Sequence, residues 1–518
     1  MEAPAEQKPS FFQQIGSLPA NFWFANFMEI LERLAFFGVR AVAPLYLVAS
    51  PDTENGLGLT FSEKGVIFAV WALVQCLVPM VSGGYTERYG YRRSLAVAFI
   101  INIAGYLLMA QSGPITGHFV AQGWANAGFW VFLTAACCVG LGTAIFKPPC
   151  HGTVAKTTTE ATSSMGWGIF YWVVNIGGAA APMLAAPLRG EFDWHLVFYA
   201  AAFVTAANFL PAFLLYKEPE KSPPKEGEIE KGPLGVFGSS LWTMVSDVRL
   251  MAFLLIFSCF WLMFMQLWDL LPNFIDEWVD TSTLAPWYKM FSASWLLESG
   301  QVKPEMIINI NPWSIILLVI PISWLVGKIN KVAAMVIGML IALVGFVGAG
   351  LTGVGVVVAL MVFIFTIGEM TCSPTFSAYV ALIAPADKKA LYMGYSNMPF
   401  AIGWFFGNLF GGFWYQAFSS KYDLAKRYLV DQADMARAAA DKLSNDDALA
   451  AVAQHVTGSV EKLAEAQQAL WDMYHPYVVW IYLGIFGLVG TIGMIIFYFA
   501  TRRAIAAAQA ARSDAATT

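Results

Sequence analysis

The sequence predicts an all-α integral membrane protein, with about twelve transmembrane helices in two six-helix halves and a helical insertion outside the bilayer. Three observations predict it. Of 518 residues, 58 % are hydrophobic and 13 % charged, against about 45–50 % and about 25 % in a typical soluble domain. The mean hydropathy is +0.59, so the chain lacks the polar residues to cover a surface standing in water. The apolar residues fall into runs of about 20 or more, the length that crosses a hydrocarbon core. A polar segment separates six runs from six. The net charge of −5 offers no basic surface for nucleic acid. The expected partner of the outer surface is the lipid bilayer.

Taken in order, the expected spans are 21–48, 62–82, 93–112, 127–155, 165–188, 195–216, 249–274, 308–327, 332–352, 354–384, 391–415 and 476–500. The N-terminus, Met1-Glu2-Ala3-Pro4-Ala5-Glu6, lacks the basic-then-apolar pattern of a cleaved signal, so the first span is expected to be retained. Basic residues collect in alternate loops: Arg88, Arg92 and Arg93, then Lys328 and Lys331, then Lys388 and Lys389, then Arg502 and Arg503. Short basic loops face the cytoplasm. Both termini are therefore expected inside, with the chain in a cell membrane, taken as a bacterial inner membrane.

Residues 1–216 form the expected N-terminal half and 248–502 the C-terminal half, with 503–518 a cytoplasmic tail. Between them, 217–247 opens Lys217-Glu218-Pro219-Glu220-Lys221-Ser222-Pro223-Pro224-Lys225, a polar, proline-rich linker with no core to build. Residues 418–475 are an Ala-rich insertion between spans eleven and twelve, with charges at helical spacing and a break at Ser444-Asn445-Asp446-Asp447. That break suits an N-cap, so a helical hairpin on the outer side is expected. Cys76, Cys137, Cys138, Cys150, Cys259 and Cys372 all lie in apolar runs and read as packing residues rather than disulfides.

Ionisable groups at bilayer depth are expensive and therefore mark function. Span one holds Glu29, Glu32, Arg33 and Arg40. Glu29, Arg33 and Arg40 are spaced by four and seven and share a face. Glu32 lies about 16 Å along the helix from its start, and Lys147 about 13 Å from the cytoplasmic end of span four. These depths match, so the lysine and the carboxylates can meet. Glu369 sits midway along span ten, with Ser373 one turn on, and Asp269 lies in the outer part of span seven. His151 is either a second titrating group or a hydrogen-bonded bystander. Gln75, Asn175, Gln266 and Asn311 either line a cavity or knit helices. No Gly-Lys-Ser/Thr phosphate loop and no His-Glu-x-x-His are present, so neither nucleotide, metal nor other cofactor is expected, and an enzyme is not.

Two six-span halves joined by a polar linker, with Gly83-x-x-x-Glu87-Arg88-x-Gly90-x-Arg92-Arg93 between spans two and three, resemble the major facilitator superfamily. Four further segments resemble its proton-coupled oligopeptide transporters. They are Glu29-Ile30-Leu31-Glu32-Arg33-Leu34-Ala35-Phe36-Phe37-Gly38-Val39-Arg40, then Gly142-x-x-x-x-Lys147-Pro148. The others are Phe170-Tyr171-Trp172-Val173-Val174-Asn175-Ile176-Gly177, and Gly368-Glu369-Met370-Thr371-Cys372-Ser373-Pro374 followed by Ala384-Pro385 and Met393-Gly394.

The resemblance implies proton-driven uptake of di- or tripeptides. Glu29, Glu32 and Arg33, with Lys147, would couple protons to substrate. Lys147 and Arg40 would take the peptide carboxylate, Asn175 the peptide backbone and Glu369 the amine, with Phe36, Phe37 and Ser373 in the pocket. The chain departs from the pattern where a tyrosine pair is expected and Phe36-Phe37 stands, and where the helix-seven acid is Met265. Asp269, one turn on from Met265, is expected to take over the outer gate with Arg40, while Lys147 and Glu369 close the inner one. The lost hydroxyls leave open a non-peptide cargo such as an amino-acid conjugate, an organic acid or a siderophore-like molecule. A proton-driven drug exporter, and a membrane receptor that reads a partner through 418–475, are the other readings.

Overall fold

The computed structural model describes residues 11–51, 55–79, 86, 89–159, 162–191, 193–218, 246–384, 392 and 395–517. Most of the 217–247 linker, Gly83, Glu87 and Arg88, the Lys388–Lys389 loop, and Met393-Gly394 lie outside the described residues. Among the described residues the chain is helical, without a strand beyond one isolated bridge between Asp280 and Val354. Nine of the described helices are long and apolar enough to cross a membrane. The remaining expected spans are also helices: Ala20–Tyr46, which carries the four charges, Phe61–Leu77, and Met398–Phe418. All six cysteines are free.

Three expected spans are interrupted, the sixth running as Trp194–Ala207 and the π-helical turn Pro211–Leu215. Span seven runs as Val248–Phe264, Gln266–Asp269 and Leu271–Trp278. Pro272 has no N–H to give the carbonyl four residues back, which suits the interruption at Leu270. Span eight runs as Pro304–Ile308 and Ile310–Val326, and Pro312 suits the interruption there in the same way. The insertion is not the single hairpin expected. It holds Lys421–Gln432, the short turn Arg437–Ala440, Asn445–Thr457 and Leu463–Tyr474. Asp434, at φ +52°, turns the chain out of the first helix. Ser444 does cap the next one, accepting from the Asp447 amide at 3.1 Å.

The chain divides into two compact units. Unit one comprises residues 1–59, 70–239 and 291–297. Unit two comprises 60–69, 240–290 and 298–518. The start of span two thus belongs to unit two. Small residues set the helix spacing in both. In unit one, a Cβ on Gly142 would stand 2.1 Å from Asn102 Oδ1, and one on Gly177 would stand 2.6 Å from Arg33 Cβ. In unit two, a Cβ on Gly368 would stand 2.4 Å from the Ala342 amide. Without a hydrophobic drive between helices in lipid, such close approach supplies the packing energy. Gly142, Gly177 and Gly368 belong to three of the segments that carry the family resemblance.

Gly177→Ala is therefore expected to push span five off Arg33 and to destabilise the folded protein by about 1–3 kcal/mol. Thermal unfolding of the purified variant checks this; Gly168→Ala, where nothing lies within 4 Å, should melt with the wild type.

Candidate functional site

In unit one the charged groups of span one are buried together. Arg33 Nε stands 3.2 Å from Glu29 Oε1, one helical turn away, and its Nη2 pairs with Glu32 Oε2. Glu32 Oε1 accepts a hydrogen bond from Thr143 Oγ1 of span four at 3.0 Å. Lys147, one turn further along Ala127–Thr157, is close enough to feel Glu29, Glu32 and Arg33 electrostatically. Tyr106 of span three faces Glu32 and Arg33, and Cys150 lies within hydrogen-bond reach of Glu29. Two carboxylates and one guanidinium thus share a buried network, with the half-buried Lys147 ammonium beside it.

The apolar departures sit against the cations. The Arg33 guanidinium lies 5.1 Å from the Phe36 ring centroid and 5.8 Å from that of Phe37. The Arg40 guanidinium lies 5.1 Å from the Trp71 ring, which in turn meets Phe36 edge-on at 5.9 Å. Aromatic faces hold cations without discharging them. This wall thus sets two guanidiniums against aromatic rings where the resemblance leads one to expect hydroxyls. Asn175 donates to its own helix at Tyr171 O, 2.9 Å away. His151 packs edge-on against Phe170 at 5.0 Å and Trp167 at 5.9 Å, so aromatic rings are its near neighbours.

In unit two, Glu369 is buried midway along Gly355–Ile383. Its Oε2 accepts from Asn311 Nδ2 at 2.7 Å, and the same amide reaches Thr366 Oγ1 at 3.0 Å. Asn311, offered by the sequence as either cavity lining or helix packing, knits spans eight and ten and aims the carboxylate. Ser373 lies one turn on from Glu369, in the same helix. Asp269 is fully buried, and its Oδ2 accepts from Trp404 Nε1 at 2.7 Å.

The sequence reading missed Lys64. It stands near the start of Phe61–Leu77, where a lysine reads as solvated, yet it is only 1 % exposed. Its ammonium donates to Asn273 Oδ1 at 2.6 Å and to the Asp269 carbonyl at 3.0 Å, and lies 4.8 Å from the Phe61 ring. Thr143, Tyr106, Trp71 and Trp404 were missed as well. Among the described residues no group of three or more metal-ligating side chains comes together.

Comparison with known proteins agrees with this architecture. Residues 26–408 match the family model of the Major Facilitator Superfamily. Multidrug resistance protein MdtH of Yersinia pestis (strain Pestoides F) is 22 % identical over 403 residues, 76 % of this chain and 86 % of that protein. A crystal structure of peptide transporter POT in complex with sulfate superposes with TM-score 0.64 at 16 % identity, covering 97 % of both chains. A POT family transporter in complex with 5-aminolevulinic acid gives TM-score 0.66 at 17 % identity, covering 94 % of this chain and 99 % of that one. With a family match across residues 26–408 and a helical membrane fold shared end to end with these transporters, the chain belongs to the Major Facilitator Superfamily and is a transporter of that type.

Proposed function

We propose that the protein is a proton-coupled symporter that imports a small zwitterion, with di- and tripeptides as the leading substrate class. The observation that carries this reading is the buried Glu29–Arg33–Glu32–Thr143 network, with Lys147 beside it. It joins groups that exchange protons to a cation able to meet a carboxylate. In this reading Glu29, Glu32, Arg33 and Lys147 couple, and Lys147 and Arg40 receive the substrate carboxylate. Glu369 receives the amine and Asn175 the backbone, while Phe36, Phe37 and Ser373 shape the pocket. The chain sits in a cell membrane with both termini in the cytoplasm and the insertion outside. Transporters work by exposing one site alternately to the two sides. Arg40 with Asp269 is the proposed outer gate, and Lys147 with Glu369 the inner one.

A second reading keeps the coupling and changes the cargo to a zwitterion without a peptide bond. The Phe36–Phe37–Trp71 wall favours it, since cation sites remain while hydroxyls that bond peptide groups are absent. A structural neighbour that holds 5-aminolevulinic acid agrees. The similarity to MdtH makes proton-driven drug export the alternative with the opposite direction.

Purified protein in liposomes decides among them. Under an inward proton gradient, accumulation of labelled dipeptide supports the first reading, and accumulation of 5-aminolevulinic acid alone the second. Expulsion of apolar cations with neither zwitterion accumulated selects export. For the outer gate, Asp269→Asn should increase labelling of cysteines placed at outer positions, and the exchanged pair Arg40→Asp with Asp269→Arg should partly restore the wild-type level. Unchanged labelling in Asp269→Asn rejects that gate.

A further inference from the structure

Beyond residue 274, where the expected span seven stops, the helix Leu271–Trp278 ends in two residues that grip the insertion. Trp278 Nε1 donates to the Ser419 carbonyl at 2.7 Å. The Trp278 carbonyl accepts from Gln467 Nε2 at 3.4 Å, and its ring meets Trp471 at 5.7 Å. Glu277, beside it, is only 6 % exposed. Its Oε2 accepts from Tyr415 OH at 2.9 Å and from the Lys421 amide at 3.1 Å. Lys421 is the first residue of the insertion's first helix, so this carboxyl is seated at a helix N-terminus. One side chain therefore joins the end of span seven, the end of span eleven and the start of the insertion.

The charged and titratable groups facing Glu277 are Asp276 on its own helix, Tyr415 on span eleven and Lys421 on the insertion. Tyr422 lies beyond Tyr415. The ammonium of Lys421 and the two donors favour the carboxylate, and Asp276 opposes it. Burial outweighs them, and the Glu277 carboxyl is pushed up to about 7. None of this is used by the transport site described above, and none of it depends on what is carried.

We infer that Glu277 is a proton-binding site in its own right, separate from the span-one network, and that its occupancy sets how firmly residues 419–474 are seated on span seven. The sign follows from linkage. A carboxyl titrating near 7 when seated and near 4.5 when exposed to water takes up a proton on seating. Seating is then strongest in acid, weakens as pH rises between those values, and is level above about 7. Protons outside the membrane would clamp the insertion and their loss would loosen it.

Amide hydrogen exchange of the intact purified protein, corrected for intrinsic rates, reads this directly. For openings of the insertion as a unit, protection of 421–432 and 463–474 should fall by up to about tenfold per pH unit between pH 5 and 7 and flatten above. Glu277→Gln, which holds the uncharged form, should keep the acid-level protection throughout. Lys421→Met removes a cation that favours the carboxylate, so it should extend the slope to higher pH. Flat protection in the wild type, or an unchanged slope in Glu277→Gln, overturns the proposal. If Glu277→Gln proves unstable, an unshifted slope in Lys421→Met overturns it equally. Neither result touches the transport reading, which liposome uptake tests separately.

Discussion

Glu32→Gln is expected to abolish uphill, proton-driven uptake while leaving substrate-for-substrate exchange within a few-fold of the wild type. Each proton that travels with substrate down a gradient of one pH unit supplies about 1.4 kcal/mol, or about tenfold accumulation. The variant should equilibrate and go no further. The geometry makes this substitution informative. The Gln carbonyl keeps an acceptor for Thr143 Oγ1, 3.0 Å from Glu32 Oε1, so span one stays registered on span four. Arg33 loses one anion but keeps Glu29, 3.2 Å from its Nε. What is removed is the ionisable carboxyl. Thr143→Val, which deletes the hydrogen bond and leaves the carboxylate, should lower the rate and preserve accumulation. Counterflow and acid-driven uptake in the same liposomes separate the two effects. Normal acid-driven accumulation by Glu32→Gln would falsify the coupling role.

The charges of span one were legible in the sequence because lipid makes them conspicuous: four ionisable side chains in one apolar helix need a reason. Apart from Lys147, their partners were not. Thr143, Tyr106 and Trp71 are unremarkable residue types in membrane helices, and whether they meet Glu32 or Arg40 depends on helix rotation, which no local pattern encodes. Glycine offered a partial signal. Gly142 and Gly177 sit where helices close to within Cβ-excluding distance, and the resemblance had already drawn attention to their segments. The breaks in spans seven and eight were not legible, because prolines such as Pro321 and Pro374 sit inside helices that continue past them.

Lys64 and Glu277 escaped for the opposite reason. Both stand at the margins of apolar runs, where a charge reads as solvated. They are buried because neighbouring elements cover them: Lys64 donates to the Asp269 carbonyl and Asn273 Oδ1, and Glu277 lies under Tyr415 and the start of the insertion. The insertion's helical character was legible from composition, and the start of its second long helix from the Ser444 cap. Its three principal helices exceed a hairpin because a single positive-φ residue, Asp434, ends the first one early, and no sequence rule demands that of an aspartate.

Glu369→Gln is expected to weaken substrates with a free amine by about ten- to a hundredfold and to leave N-blocked analogues nearly unaffected. A hydrogen bond to a charged partner is worth about 1.5–3 kcal/mol, and 1.4 kcal/mol is tenfold in affinity. The carboxylate is already oriented: Asn311 Nδ2 holds Oε2 at 2.7 Å and is itself anchored to Thr366 Oγ1. In the proposed amine subsite, Oε1 would be the oxygen that meets an ammonium group. Orientation and charge can then be told apart. Asn311→Leu keeps the charge and loses the aim, so it should weaken amine-bearing substrates less than Glu369→Gln does, and Asn311→Asp, which sets a second anion beside the first, should not rescue them. Binding measured by thermal shift against a peptide, its N-acetyl form and 5-aminolevulinic acid gives all three comparisons on one sample, because ligands that favour the folded state raise its melting temperature. An equal loss for the blocked and unblocked compounds removes Glu369 from the amine subsite and leaves it, with Asn311, as a helix-knitting pair.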